Sequence, residues 1–396
     1  MKLTDLETMD ERLSLMKKVV QPFKKRAHQY DQEGSFPFEN FKDLQERGYP
    51  SLTVSKEYGG LGISLYEMLK HQEIIAQADA STALAIGWHM GVIQTIGENK
   101  LWDERKYKQV VQDVFESGAL INNSVSERAT GSPDRGGKPE TTATQTDDGW
   151  VISGRKTFTT MAPILTYFNV SATIEGTDQV GNFLIHRDRP GVTIEETWDS
   201  IAMKATGSHD LVLENVSVAP DDLVSYRGLG KKSAQGGWLL HIPACYLGIA
   251  KAAQHDATQF ATHYSPNSIT GTISELPNVK QKLGEIQLLS LQSSHFLYGV
   301  ARKWDESCSE EREAMNEELS AAKLGVVNGA MKMVDLAMRV VGARSLSETN
   351  PLQRYYRDVR AGLHNPPMED VAIIQLAEQA IREIESTNDK SYSLTR

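Results

Sequence analysis

Cysteine is scarce in this chain. Cys245 and Cys308 are its only two thiols, too few and too far apart for a metal knuckle or a disulfide framework, so both are expected reduced and no metal site is expected. No stretch approaches the ~20 consecutive apolar residues that a membrane span requires. Met1 to Gln21 mixes acids and bases every few residues and shows no apolar leader, so a cytoplasmic protein without a membrane partner is expected. Glycine-rich phosphate loops are missing as well: neither a P-loop spacing nor a Gly-x-Gly-x-x-Gly after a strand occurs, which argues against a Rossmann dinucleotide domain. Positive charge is in deficit, with 42 Lys and Arg against 52 Asp and Glu and a net charge of −10. Such a balance resists phosphate backbones, so nucleic acid is not an expected partner. The one dense basic cluster, Lys17, Lys18, Lys24, Lys25 and Arg26, sits on a helical pattern and reads as a solvated face.

What is present is an ordinary globular balance, 40% hydrophobic and 24% charged over 396 residues, which excludes a mostly disordered chain. Three textures follow one another. Residues 1–117 repeat apolar positions at helical spacing, as in Leu6, Met9, Leu13, Met16 and Leu65, Leu69, Ile74, Ile75, and predict an N-terminal α-helical domain. Its one break is Tyr58-Gly59-Gly60-Leu61-Gly62. The small-residue run from Ala78 to Met90 predicts a deeply buried helix approached closely by its neighbours. Residues 118–232 turn to short β-rich runs, among them Trp150 to Gly154, Tyr167 to Ser171, Asn182 to Ile185 and Leu211 to Val216, and predict a barrel or sandwich. Residues 233–396 return to the helical period and predict a C-terminal bundle. Within it, Asn365 is placed to cap a new helix, Pro366 to occupy its first position, and Glu369 and Asp370 to face its positive end. The polar tail from Glu385 is expected to fray. The fold class is therefore α+β.

Two segments carry chemistry. Val125-Ser126-Glu127-Arg128-Ala129-Thr130-Gly131-Ser132-Pro133 gathers hydroxyls, amides and a glycine at the start of the β-domain, and Gly154-Arg155-Lys156-Thr157-Phe158-Thr159-Thr160 sets an aromatic among hydroxyls on a strand. Taken in order with Lys56-Glu57-Tyr58-Gly59-Gly60-Leu61-Gly62, Met203-Lys204-Ala205-Thr206, Leu213 to Val218 and the pair Arg357-Asp358, these segments resemble the acyl-CoA dehydrogenase superfamily of flavoproteins over nearly the whole chain. The resemblance implies an N-terminal helical domain, a middle β-domain and a C-terminal four-helix bundle, assembled as a homotetramer or dimer. It implies FAD as cofactor, an acyl-CoA thioester as substrate, a role in fatty-acid metabolism, and an electron-transfer flavoprotein as electron acceptor. By position it places Val125, Ser126, Gly131 and Ser132 beside the flavin, Ser132 also near the ligand's phosphates. Phe158, Thr159 and Thr160 flank the ring, with the Thr160 hydroxyl placed to donate toward N5.

One part of the family pattern is absent. The glutamate that removes the α-proton belongs in the stretch occupied here by Asn365-Pro366-Pro367-Met368, with Pro366 at the base position, and proline takes no proton. The alternative family position early in the C-terminal domain reads Gly237-Trp238-Leu239-Leu240-His241, again without a carboxylate, which leaves Trp238 and His241 as substrate-lining candidates. Arg339 and Gly342 stand where the family binds the far end of the cofactor, and no arginine occurs from Tyr264 to Ser268. A positioned general base is worth typically about 10² to 10⁴-fold, so a substitute is needed; His364 with Asn365 is the leading candidate, ahead of His241, Glu369 and His89. His364-Asn365-Pro366 also resembles a branch of the superfamily that uses reduced flavin from a separate flavin reductase to run monooxygenase chemistry. Three readings stay open: a dehydrogenase with an unusual base, a two-component monooxygenase, and a relative that binds CoA derivatives without turnover.

Overall fold

The structure, a computed structural model, describes residues 1–130, 137–227 and 236–393. Helices α1 (Met9–Val19), α2 (Gln21–Glu33), α3 (Phe38–Glu46), α4 (Leu65–Ala78), α5 (Ala80–Glu98) and α6 (Glu104–Ser117) make the first region. Their starts are written locally. Thr8 accepts from the Glu11 amide at 3.3 Å while the Glu11 carboxylate returns to the Thr8 amide at 3.0 Å, a reciprocal cap on α1. Asp79 likewise caps α5 through the Thr82 amide at 3.3 Å. The predicted break is a turn in which Gly59 and Gly62 take left-handed φ of +88° and +53°, and a Cβ on Gly60 would lie 2.1 Å from the Val54 carbonyl oxygen.

Strands β1 (Ile121–Ser124), β2 (Thr142–Thr146), β3 (Gly149–Thr159), β4 (Tyr167–Ile174), β5 (Val180–His186), β6 (Val192–Glu195), β7 (His209–Val218) and β8 (Leu223–Arg227) form one sheet in the order β6-β7-β3-β2-β4-β5-β8, with β1 paired to β4. The pairings are antiparallel except where β4 runs parallel to β1 and β2. Among the described residues β6 and β8 end the path without pairing each other, and the eight strands make up the middle β-domain that the sequence predicts.

Helices α7 (His241–His263), α8 (Pro277–Glu306), α9 (Ser309–Glu313), α10 (Asn316–Val341), α11 (Pro351–Asp358) and α12 (Glu369–Ser393) make the last region. Three expectations change here. The final helix starts at Glu369 and not at Pro366, because the residue before a proline is pushed out of helical geometry and Pro366 precedes Pro367. Asn365 does not cap it; its side-chain oxygen accepts from the Tyr246 hydroxyl instead. The helix also runs on to Ser393, past the point where fraying was expected.

The regions are not independent bodies hung on linkers. A single apolar core runs from Leu3 and Phe23 through Phe168 and Phe183 to Leu297 and Val334. A second, smaller one beneath α6 joins Ile93 and Ile96 to Ile121, Tyr167 and Val224. Helix α5 is the shared wall. It packs against α4, α7, β1 and the 3-10 turns Lys204–Thr206 and Gly237–Leu240. Charged groups complete the joints: the Asp305 carboxylate accepts from the Leu65 and Tyr66 amides at 2.8 and 2.9 Å, tying α8 to the start of α4.

Small residues on α5 make this approach possible. A Cβ on Gly91 would lie 2.2 Å from Trp238 Cε3, and one on Gly87 would lie 2.3 Å from His241 Nδ1. Gly91→Ala should therefore destabilise the protein by about 1–3 kcal/mol in urea unfolding through overpacking, although alanine alone favours a helix by about 1 kcal/mol. A stabilised variant would show that the ring is free to move away.

Candidate active site

Strand β1 ends at Ser124 and the chain crosses in front of β3, where the Thr157 amide donates to the Ser126 carbonyl at 2.9 Å. This bond brings Val125 and Ser126, both half-buried, beside Phe158 to Thr160. Gly131 and Ser132 lie outside the described residues. Beneath the crossing is a buried ion pair. Lys156, fully buried, donates to Glu127 Oε1 at 2.5 Å, while Glu127 also accepts from the Thr141 hydroxyl at 2.7 Å and from the Thr141 amide at 3.1 Å. Burial works to raise the Glu127 carboxyl. The Lys156 ammonium, with the Thr141 and Glu140 donors, overrides it and holds Glu127 below the usual carboxylate range. Glu127 is thus a buried anion held by several donors.

Three hydroxyls nearby are left over: Ser124, Thr157 and Thr159 are buried, and none of their hydroxyls has a hydrogen-bond partner among the described residues. Between them Phe158 is 65% exposed, with a left-handed φ of +54° that turns its ring outward against Trp198, centroids 5.9 Å apart. A non-glycine residue in that conformation is held there by its surroundings, the kind of local cost found at functional sites. Thr160 opens a line of hydroxyls: its Oγ1 lies 2.9 Å from Ser208 Oγ, which lies 2.8 Å from Thr206 Oγ1, which donates to the Met203 carbonyl at 3.0 Å.

The Met203 turn is clamped from the C-terminal region. The Met203 amide donates to Asp358 Oδ1 at 2.6 Å, and Arg357 grips Asp31 at 2.9 Å and the Ile201 carbonyl at 2.6 Å. Burial pushes the Asp358 carboxyl up to about 7, against the opposing pull of the Met203 amide, Arg354 and Arg357. Sequence reasoning named the Arg357-Asp358 pair without giving it this role, and it passed over Thr206 and Ser208 as part of one network.

The proposed base positions sit elsewhere on the same wall. Gly362 fits between Val327 and Tyr246, where a Cβ would approach to 2.8 and 3.0 Å, and this seats the 3-10 turn Val359–Leu363 against α7 and α10. His364 follows at its end, exposed, and Asn365 is held by Tyr246. Lys323 donates to the Pro367 carbonyl at 3.0 Å from α10. Glu369 is exposed at the start of α12, with Asn328 at 3.4 Å.

His89 has both ring nitrogens engaged: one faces the Pro50 carbonyl at 3.0 Å and the other accepts from the Ile121 amide at 3.1 Å. Burial takes it down to about 4, so it is a neutral strut between α5 and β1 and has no free position for proton transfer. His241 is fully buried, and burial pushes it down to about 3. Its ring is parallel to Trp238, centroids 5.9 Å apart, and edge-on to Trp88 at 4.9 Å, so Trp238 and His241 do come together, with Trp88 as a third member that the sequence did not reveal. Arg339 and Gly342 lie at the end of α10, Arg339 exposed and paired with Asp335 at 2.8 Å, on different elements from the β1–β3 surface. Both cysteines are free, Cys245 buried and Cys308 exposed, and no metal-ligating cluster occurs among the described residues.

Two measurements follow from these charges. Glu127→Gln removes the carboxylate that pairs with the buried Lys156 ammonium and should cost about 3–5 kcal/mol in denaturant unfolding; a loss under 1 kcal/mol would contradict the buried pair. For Asp358, a folded value near 7 against an unfolded value of 3.8 means the native state holds the extra proton between them. The associated stability is fully present below about pH 4 and lost as pH rises through about 7. The melting temperature of the wild type relative to Asp358→Asn should fall across that window, and a pH-independent difference would contradict the assignment.

Family models describing the N-terminal, middle and C-terminal domains of acyl-CoA dehydrogenase match residues 9–100, 123–216 and 240–365. The Bacillus subtilis (strain 168) protein YdbM, itself named an acyl-CoA dehydrogenase only provisionally, is 50% identical over 363 residues, covering 92% of this chain and 94% of its own. L-evernosamine nitrososynthase of a Micromonospora species is 27% identical over 387 residues, covering 93% of this chain and 89% of its own. The solved structure of KijD3 in complex with FMN and a dTDP-linked amino-keto sugar superposes with a TM-score of 0.82 at 26% identity, covering 95% of this chain and 94% of that one. Three domain matches in order, a half-identical relative along nearly its full length and the same three-part architecture make this chain a member of the acyl-CoA dehydrogenase family.

Proposed function

We propose that the protein is a flavin-dependent oxidoreductase that takes reduced flavin from a separate reductase and oxygenates a small molecule. The observation that carries the choice of reaction is the lack of any carboxylate from Gly362 to Met368, with Pro366 where the family's dehydrogenases hold their base. Of the histidines named as candidates, His89 is fully hydrogen-bonded and His241, pushed down to about 3 by burial, is too weak a base, so neither replaces it. The kinship to a nitrososynthase and to a relative solved with FMN and a dTDP-linked sugar supports the same direction.

The β1–β3 surface suits a flavin. Unpartnered hydroxyls on Ser124, Thr157 and Thr159 match a ring rich in hydrogen-bonding edges, and Phe158 offers an exposed apolar face beside them. In this reading Val125, Ser126, Phe158, Thr159 and Thr160 hold the ring, with Gly131 and Ser132 completing the loop. The bound cofactor supplies two-electron chemistry, so that oxygen, two electrons and two protons yield an oxygenated substrate and water. The chain's own residues orient and exclude. Lys156 and Glu127 stiffen the floor, Trp88, Trp238 and His241 wall an apolar substrate side, and His364, held by its turn and neighboured by Asn365, is the group available to move a proton. FAD is the cofactor the family resemblance favours, and FMN is the one in KijD3; Arg339 and Gly342, at the end of α10, are the positions that distinguish them.

A second reading has its own support. YdbM carries a dehydrogenase name at 50% identity, and α,β-dehydrogenation of an acyl-CoA would then rest on His364 as base, with an electron-transfer flavoprotein accepting electrons. Uncovered apolar side chains on α12, Ile373, Ile374, Ile381 and Ile384, and on α8, Leu288 and Leu291, support assembly into a dimer or tetramer. No described helix is long and apolar enough to cross a membrane, which is compatible with the cytoplasmic site we propose.

Anaerobic addition of butyryl-CoA or octanoyl-CoA to the oxidised holoenzyme separates the two reactions. The oxygenating reading predicts that the flavin absorbance persists with both thioesters, and bleaching by either one favours dehydrogenation. His364→Ala should lower turnover by about 10² to 10⁴-fold while flavin affinity is retained; unchanged turnover would remove His364 from the mechanism.

A further inference from the structure

The hydroxyl line from Thr160 has a direction. Its inner end is the Met203 carbonyl, which accepts hydrogen bonds and donates none. When the Thr206 hydroxyl donates to that carbonyl, the Ser208 hydroxyl donates to Thr206 and the Thr160 hydroxyl donates to Ser208, and all three internal contacts are made. Reversing the line loses the bond to Met203 and sends the Thr160 hydrogen outward. Ser208 and Thr206 are both buried, so no water replaces the lost bond, and the reversed line makes two internal bonds where the forward line makes three. The acceptor itself is fixed. The Met203 carbonyl takes the Trp198 indole N–H and the Thr206 amide, each at 3.1 Å, and the Met203 amide is clamped by Asp358 at 2.6 Å. The Met161 amide donates to the Thr206 carbonyl at 3.0 Å and holds the end of β3 in register with this turn.

We propose that this relay presents Thr160 as a hydrogen-bond acceptor and so makes the site select reduced flavin, whose N5 bears a hydrogen, over oxidised flavin, whose N5 has only a lone pair. The inference rests on the reading that Thr160 faces N5, and it gives that hydroxyl the polarity opposite to the one the family resemblance suggests. Thr206 and Ser208 act as positioning residues: neither touches the cofactor, and both set what Thr160 offers to it. A site with this bias takes up flavin already reduced by a partner and binds the oxidised form more weakly, as a two-component enzyme requires. One hydrogen bond gained or lost corresponds to about fivefold to tenfold in affinity.

The test is the dissociation constant of the full-length protein for FMN, oxidised and chemically reduced, measured without oxygen. The wild type should bind reduced FMN about tenfold more tightly. Thr206→Val keeps side-chain shape and the backbone bond to Met161 but removes the inner donor, and Ser208→Ala interrupts the line at its middle. In each the preference should fall to about one. Equal or tighter binding of oxidised FMN by the wild type, or an unchanged preference in both variants with intact melting curves, would overturn the relay. A wild type that binds neither FMN nor FAD in either state refutes the flavin reading itself.

Discussion

The backbone of α5 lies so close to the rings of Trp238 and His241 that only glycine fits at positions 87 and 91. This closeness lets one helix serve as wall to three regions at once. Its side toward the sheet meets β1 and the Lys204–Thr206 turn, and its side toward the bundle meets α7 and the Gly237–Leu240 turn. The proposed flavin surface, the hydroxyl line and the aromatic cluster are therefore referenced to a single rigid element, and His89 pins that element to β1 through a backbone bond.

Around this wall the charges divide into those that hold and those that are left to act. Lys156 with Glu127, Arg357 with Asp31, and Asp358 with the Met203 amide are buried or half-buried contacts that fix the floor and the turn. His364 stands apart from them as an exposed group on a short turn, next to a proline where a carboxylate would serve thioester chemistry. In the proposed reading cofactor surface and reaction are separable features: the β1–β3 segments that resemble the family's are present, while no carboxylate occurs from Gly362 to Met368.

Much of this was legible in the sequence because it is local. The β-rich run from Trp150 to Gly154 locates β3, which spans Gly149–Thr159, and the small residues from Ala78 to Met90 mark α5 as buried. Tertiary partnerships were not legible. His89 looked available as a base until Pro50 and Ile121 claimed its two nitrogens, and Trp88 gave no sign that it would meet residues 238 and 241. Ser208 lies 48 positions from Thr160, so no spacing rule joins them. The helix predicted from Pro366 failed for a local reason that was present in the sequence: a proline followed by another proline is a poor helix start.

The central claim is that a flavin rests against the β1–β3 surface beside Thr160. Its most direct measurement is the visible absorbance spectrum of the purified protein after incubation with FAD or FMN and removal of free ligand. The account predicts a retained flavin band in the wild type that weakens in Thr159→Val and Thr160→Val variants of unchanged melting temperature. A colourless wild-type protein with both flavins, or a band indifferent to both substitutions, would contradict it.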